Sequence, residues 1–297
     1  MGIRKKKDMR AMRVTIWGIL ILLGTISCSN SEEEMNMEMQ ITNSVNIEEN
    51  AMVNCILEDI LSEVEKNVIF ADNNTNIASN TKQDSIPMIK ISGDEKYRSS
   101  TKTISIDYGS NNQVDHLGRH KRGQIHNEIT GRYLTNGTRQ NIRFEDFCIN
   151  DIKIEGKIEI ISNGFNDYEQ LSFTISYDSI LLVSENGLKY SISGTKTKEW
   201  ISGYDTPEDL WDDQFLIYGE CHGINSENRE YNSKISTPLL ISRACEFILS
   251  GETEFQVETE TIFYNFGDGM CDNKGYYTQN GEVTNFEFGR YSFRKRN

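Results

Sequence analysis

The stretch INDIKIEGKIEII, residues 149–161, decides the fold. Its apolar Ile152, Ile154, Ile158 and Ile160 alternate with Lys153, Glu155, Lys157 and Glu159, the rhythm of a strand with one buried and one wet face. Leu171, Phe173, Ile175 and Tyr177 repeat it. Asn-Gly pairs begin at Asn136, Asn163, Asn186 and Asn280, close to such runs, and these residues supply the positive φ angles of tight hairpins. Everything beyond Met88 therefore reads as strand and turn in an antiparallel meander.

An aliphatic residue, any residue, then glycine recurs inside strand-like runs at Ile129-x-Gly131, Ile154-x-Gly156, Ile192-x-Gly194, Ile217-x-Gly219 and Leu249-x-Gly251. Glycine within a strand marks a bulge, a bend or a close neighbouring backbone, so the sheet is expected to curve strongly. A concave apolar face needs a cover. Upstream, from Ile47 to Phe70, the residues Val53, Ile56, Leu57, Ile60, Leu61, Val64 and Val68 fall at helical spacing, with Asn46 and Glu49 as a capping box. The expected fold is mainly β: a curved antiparallel β-meander, an open half-barrel or sandwich-like, with one N-terminal amphipathic helix. With only three prolines and 13 each of tyrosine and phenylalanine, residues 46–297 are expected to form one β-rich domain, with its helix at about 47–70.

The chain opens with Arg4, Lys5, Lys6, Lys7, Arg10 and Arg13, followed by the apolar run Val14 to Ser27. That run is shorter than the roughly 20 residues of a bilayer span and reads as an export signal over residues 1–27. Thr25-Ile26-Ser27-Cys28 resembles a bacterial lipobox, with Thr25 in place of the usual Leu; the alternative is a plain signal beside a chance cysteine. Lipidation of Cys28 would supply three hydrocarbon tails, more than the two signals that stable anchoring needs. Ser29-Asn30-Ser31-Glu32-Glu33-Glu34 resembles the acidic run that sends Bacteroidota lipoproteins to the outer face of the outer membrane; it also reads as solvated linker. Residues 28–45 are expected to be a lipidated, flexible acidic tether with a random-coil reach of about 20–25 Å.

The formal charge is -14; without the signal segment, 25 basic residues stand against 44 acidic ones, a net of -19. Such a chain repels nucleic acid, which is excluded as a partner. After Cys28 the cysteines are Cys55, Cys148, Cys221, Cys245 and Cys271, an odd number that leaves at least one thiol unpaired. No C-x-x-C supports a zinc ribbon or redox pair.

Asp72-x-Asn74-x-Asn76 starts like a calcium loop, but Ile77 and Gln83 replace the turn glycine and bidentate carboxylate. His116, His120 and His126 are separated by Gly118 and Gly123, which break any helix that would align two imidazoles, so a solvated hairpin is expected. The basic cluster Arg119, His120, Lys121 and Arg122 either holds an anion or pairs with nearby carboxylates. Motifs of the common hydrolases and nucleotide-binding enzymes are missing, and no catalytic, cofactor-binding or metal-ligating residue is nominated. The segment TKTKEWISGYDTPEDLWDDQF, residues 195–215, breaks the strand rhythm. Its Trp200, Tyr204, Trp211, Asp212 and Asp213 form a candidate ligand loop, because aromatic faces stack on sugar rings while carboxylates accept from hydroxyls. The alternative is that both tryptophans plug the core.

The motifs GYDTP with WDD shortly after it, ACEFILSGE and GDGMCDNKG resemble those of uncharacterised β-rich lipoproteins of Bacteroidota, over about residues 47 to 290. Those proteins share the layout of lipidated N-terminus, short helix and long β-rich body, with no activity to carry over. The family often places an extra cysteine just before its GRxRxG stretch, where this chain has Val114 ahead of Gly118-Arg119. Cys245 and Cys271 fall inside two of the motifs; they are either bridged, a closure worth about 3–4 kcal/mol in the chain-entropy model, or two buried thiols. Asp84-Ser85-Ile86 and Asp178-Ser179-Ile180 both match a short O-glycosylation signal of these bacteria.

The leading expectation is a noncatalytic, surface-exposed outer-membrane lipoprotein, held to its membrane by the anchor, that binds a glycan, polymer or envelope protein, with the periplasmic leaflet as the other location. Alternatives are an envelope chaperone or lipid carrier using the concave face, and a surface hydrolase. A concave face filled by side chains favours surface binding, and an open one favours carriage.

Overall fold

A computed structural model describes residues 29–73, 87–93, 101–115, 117–206, 209–279 and 281–289, with side chains from Ser44 onward. The signal segment 1–27, Cys28, Asn74 and Asn76 of the calcium-like run, Asp84-Ser85-Ile86, His116, Pro207 and Asn280 lie outside the described residues. Contacts divide the chain into two units, Met1–Asn43 and Ser44–Asn297. The second holds every strand and the helix from Ser44 onward.

The helix α1 spans Ser29–Asn73, which corrects two expectations. The stretch read as a tether is helical in backbone: residues 29–73 contain neither glycine nor proline, Met, Glu and Gln are good helix formers, and the acids at 32–34 suit a helix N-terminus. Low apolar content did not remove the helical propensity of that stretch. Asn46 and Glu49 do not cap anything. Both are buried in mid-helix, where Asn46 accepts a 2.9 Å hydrogen bond from Asn225 and Glu49 accepts one from Ser226.

Among the described residues fourteen strands follow: β1 Met88–Gly93, β2 Thr101–Asp107, β3 Gln113–Val114, β4 His120–Thr130, β5 Arg139–Ile149, β6 Ile152–Phe165, β7 Leu171–Val183, β8 Lys189–Ser202, β9 Gln214–Ile224, β10 Glu230–Ser242, β11 Ser250–Val257, β12 Glu260–Asp268, β13 Lys274–Gln279 and β14 Glu282–Glu287. They form one antiparallel sheet in chain order, with β3 set aside as a short partner of β4. The sheet is a single open meander whose edges are β1 and β14.

The glycine pattern marks where the ladders slip. Pairing shifts at Gly156 in β6 and at Gly251 in β11. Their φ angles are 109° and 115°, and an added Cβ would lie 2.6 Å from the Ser179 carbonyl and 2.5 Å from that of Pro238. Only glycine fits such bends. Asn163-Gly164 lies within β6 at another slip and makes no hairpin, whereas Asn186-Gly187 turns β7 into β8 as expected.

The curved sheet wraps the part of α1 that belongs to this unit. From Asn46 to Leu57 nearly every helix residue is buried, polar ones included, so this half is embedded and its polar face is not wet. Asn50 alone reaches three strands: its Nδ2 donates to the Tyr190 hydroxyl of β8 at 2.7 Å, and its Oδ1 accepts from Ser233 of β10 at 2.9 Å and Tyr264 of β12 at 2.7 Å. Further along, Asp72 accepts from Lys102 of β2 at 3.2 Å and from the Tyr133 amide at 2.9 Å. The concave face is thus filled by the helix and by inward side chains such as Ile154, Ile158, Ile175 and Ile217.

Candidate functional site

The candidate ligand loop is sorted by depth. Trp200 is inside, its ring centroid 5.4 Å from that of Phe215 and its Nε1 donating to Asp213 Oδ1 at 3.2 Å. Asp213 is also buried, 3.2 Å from the Arg243 Nε. Tyr204 is partly exposed and meets Phe165 edge to face at 5.8 Å. Asp212 accepts from the Thr206 hydroxyl at 2.7 Å and so closes the loop on itself. A one-turn 3-10 helix, Leu210–Asp212, begins where the Asp209 carboxylate accepts from the Trp211 amide at 3.0 Å. That turn leaves Trp211 66% exposed.

Trp211 lines a cavity of about 340 Å³, within the range of small-molecule sites. Cys55 and Glu58 of α1 supply one wall, Leu210 with Trp211 a second, and Phe247 with Ile248 of the β10–β11 connection a third. A disulfide between Cys245 and Cys271, whose Cα atoms are 5.7 Å apart, ties that connection to the one between β12 and β13. Tyr204, Asp212, Asp213 and Trp200 are not among the lining residues. Burial pushes the Cys55 thiol up to about 12, so it stays protonated and is no nucleophile. Cys148 and Cys221 are buried free thiols as well.

Two lining residues of the cavity, Lys198 of β8 and Arg243, converge on Glu65 of α1, with Lys198 Nζ 2.8 Å from Oε2. The Tyr133 hydroxyl donates to the other oxygen. Burial pushes Glu65 up, but the charges of Lys198 and Arg243 and the hydrogen bonds from Lys198 and Tyr133 outweigh it and hold the carboxyl down at about 2. Asp213 ends the same network in the opposite state. Burial raises it most, Arg243 and the Trp200 hydrogen bond pull it down, and Glu65 and Asp212 raise it, for a net rise to about 7. One carboxylate takes two cations at short range; the other is left competing for one of them.

A second network resolves the basic cluster. Asp59 of α1 lies 2.5 Å from Arg119 and 3.0 Å from Lys121, and Asp115 lies 2.7 Å and 3.4 Å from the same two groups. Arg122 pairs with Asp151. The cluster is occupied by carboxylates. His126 contacts Glu145 at 3.0 Å, His120 is exposed, and the described residues contain no group of three or more metal-ligating side chains.

Glu58, Glu65, Lys198 and Arg243 were missed from the sequence. For Lys198 a signal existed: Tyr190, Ile192, Lys196, Lys198 and Trp200 share one strand parity, and all five are buried. Two lysines on an inward face announce partners on another element.

No family model, no curated protein and no solved structure matches this chain.

Proposed function

We propose that the chain is a lipid-anchored, noncatalytic binding protein of the bacterial outer membrane, akin to the β-rich Bacteroidota lipoproteins whose motifs it resembles, and that the cavity beside Trp211 is its binding site. The carrying observation is the convergence of those motifs: WDD contributes Trp211, ACEFILSGE contributes Ala244 to Ile248, and GDGMCDNKG contributes the cysteine bonded to Cys245. Two segments some 30 residues apart in sequence thus line one opening, and the third braces it through the disulfide. The filled concave face supports surface binding over carriage of acyl chains beneath the helix.

Anchoring is tested by growing cells with a labelled fatty acid and comparing the parent with Cys28→Ala; label in the parent alone is expected, and its absence from both removes the anchor. The site is tested on a glycan array and by envelope-protein capture with Trp211→Ala. Loss of binding is expected. Undiminished binding moves the site elsewhere.

A further inference from the structure

Exposed aromatic rings gather on two neighbouring connections, the β6–β7 turn and the β8–β9 loop. Phe165, 60% exposed, ends β6, and Tyr168, 81% exposed, lies in the turn that follows. Tyr204 and the exposed Trp211 belong to the β8–β9 loop. Single apolar side chains in water need no explanation, but four aromatic ones on adjoining connections mark an interaction surface.

The two connections touch, and each is held in shape. Phe165 meets Tyr204 edge to face at 5.8 Å, and Asn166 Nδ2 donates to Glu199 Oε1 of β8 at 3.0 Å. Asn166 Oδ1 also accepts from the amides of Tyr168 and Gln170, at 2.9 and 3.0 Å, which fixes the turn. In the loop, Asp209 caps the turn that carries Trp211, and the Thr206 hydroxyl donates to Asp212. Rings carried on ordered turns lose little freedom when a ligand covers them. They run from Tyr168 through Phe165 and Tyr204 to the loop whose Trp211 lines the cavity.

Charge decides what such a strip can hold. Residues 166–170 and 203–213 contain no Lys, Arg or His, and Asp167, Glu169, Asp205 and Asp209 are exposed among the rings. A surface that docks on anionic lipid pairs its aromatic residues with Lys and Arg. This one does the reverse. A neutral sugar chain offers what the strip lacks: C–H faces that stack on rings, and hydroxyls that donate to carboxylates.

We infer that the binding site continues from the cavity along Tyr204, Phe165 and Tyr168, and that its ligand is a neutral oligosaccharide chain long enough to reach Tyr168. This rests on the cavity being a glycan site, and the test separates the two.

The full chain in phosphatidylcholine nanodiscs is titrated calorimetrically with β-linked glucan, mannan and galactan oligosaccharides of two and six units, with empty nanodiscs as blank. On at least one backbone the hexamer is expected to bind about tenfold tighter than the dimer, the scale of one added aromatic contact. Tyr168→Ala removes that gain and leaves the dimer unchanged, whereas Trp211→Ala weakens both. Because Tyr168 is mostly in solvent, its replacement leaves the thermal midpoint where it was. The comparison of dimer with hexamer needs no variant, so a folding defect leaves it intact. A hexamer no tighter than the dimer, or a gain that survives Tyr168→Ala, overturns the strip and keeps the cavity as a glycan site. Failure of every backbone to bind overturns the glycan reading of the cavity and the inference together. Binding of the Cys28→Ala chain to phosphatidylglycerol vesicles, lost on adding Tyr168→Ala, assigns the rings to a membrane and also overturns the inference.

Discussion

The half of α1 from Asn46 to Leu57 and the half from Glu58 to Asp72 lie inside the same sheet, yet they meet it with different chemistry. The first uses neutral amides. Asn50 takes hydroxyls from β8, β10 and β12, and Asn54 accepts from Lys196 at 2.6 Å. The second uses charge: Asp59, Glu65 and Asp72 each hold cations from the wall. Desolvating an amide is far less costly than desolvating an ion, so the first half meets the wall mainly through amides, with Glu49 and Lys196 as its charged groups. In the second half Asp59, Glu65 and Asp72 meet their cations at short range. The first half therefore positions the helix, while the second supports the cavity beside Trp211.

Glu65 is where this contrast is most exposed to experiment. Glu65→Ala leaves Lys198 and Arg243 buried without their main countercharge, and a loss of about 3–5 kcal/mol in urea unfolding is expected. A loss below about 1 kcal/mol would show that the cations find water or other partners, and that the second half is held by packing alone. Next comes Asn50→Ala, which strands two tyrosine hydroxyls and one serine; about 2–4 kcal/mol is expected from unsatisfied buried groups. Hydrogen exchange adds a spatial readout: the amides of β8, β10 and β12 should lose protection together, since one side chain joins them.

Local sequence carried the strands because alternation is a local property. Ile152, Ile154, Ile158 and Ile160 are buried as their rhythm requires, and the glycines announced the curvature because a slip needs a residue without a side chain at that place. What stayed hidden depends on partners far away in the chain. Asn46 and Glu49 have the chemistry of a helix cap, and only the distant residues Asn225 and Ser226 turn them into interior contacts. Lys198 meets Glu65 across 133 residues and Arg243 meets it across 178. No periodicity encodes such a pairing. The candidate loop shows the same limit: its composition suggested a binding surface, but which tryptophan faces outward was set by the Asp209 cap and by the Asp213 partner of Trp200.

The two carboxylates that share Arg243 give opposite pH dependences. Glu65, held at about 2 against an ordinary 4.5, contributes stability that is complete above 4.5 and is lost as pH falls toward 2. Asp213, raised from 3.8 to about 7, contributes stability that is present below 3.8 and is lost as pH rises through 7. The readout is the difference between parent and Asp213→Asn. From pH 4 to 7 the parent should lose stability relative to the variant, with a slope approaching about 1.4 kcal/mol per pH unit. A flat difference would mean that Arg243 keeps Asp213 ionised throughout, and that the network holds two cations with two full anions.

The smallest expected effect separates the two tryptophans. Trp200 donates to Asp213 and lies in the core, whereas Trp211 is 66% exposed and is held out by its own short turn. Trp211→Ala removes little buried surface, so its unfolding free energy should stay within about 0.5 kcal/mol of the parent. If it does, any loss of ligand binding in that variant belongs to the cavity and not to a loosened fold. A larger loss of stability would show that the indole closes the cavity over Phe215 and Phe247 as part of the core, and the boundary between the residues that hold the helix and those that wait for a ligand would move outward by one side chain.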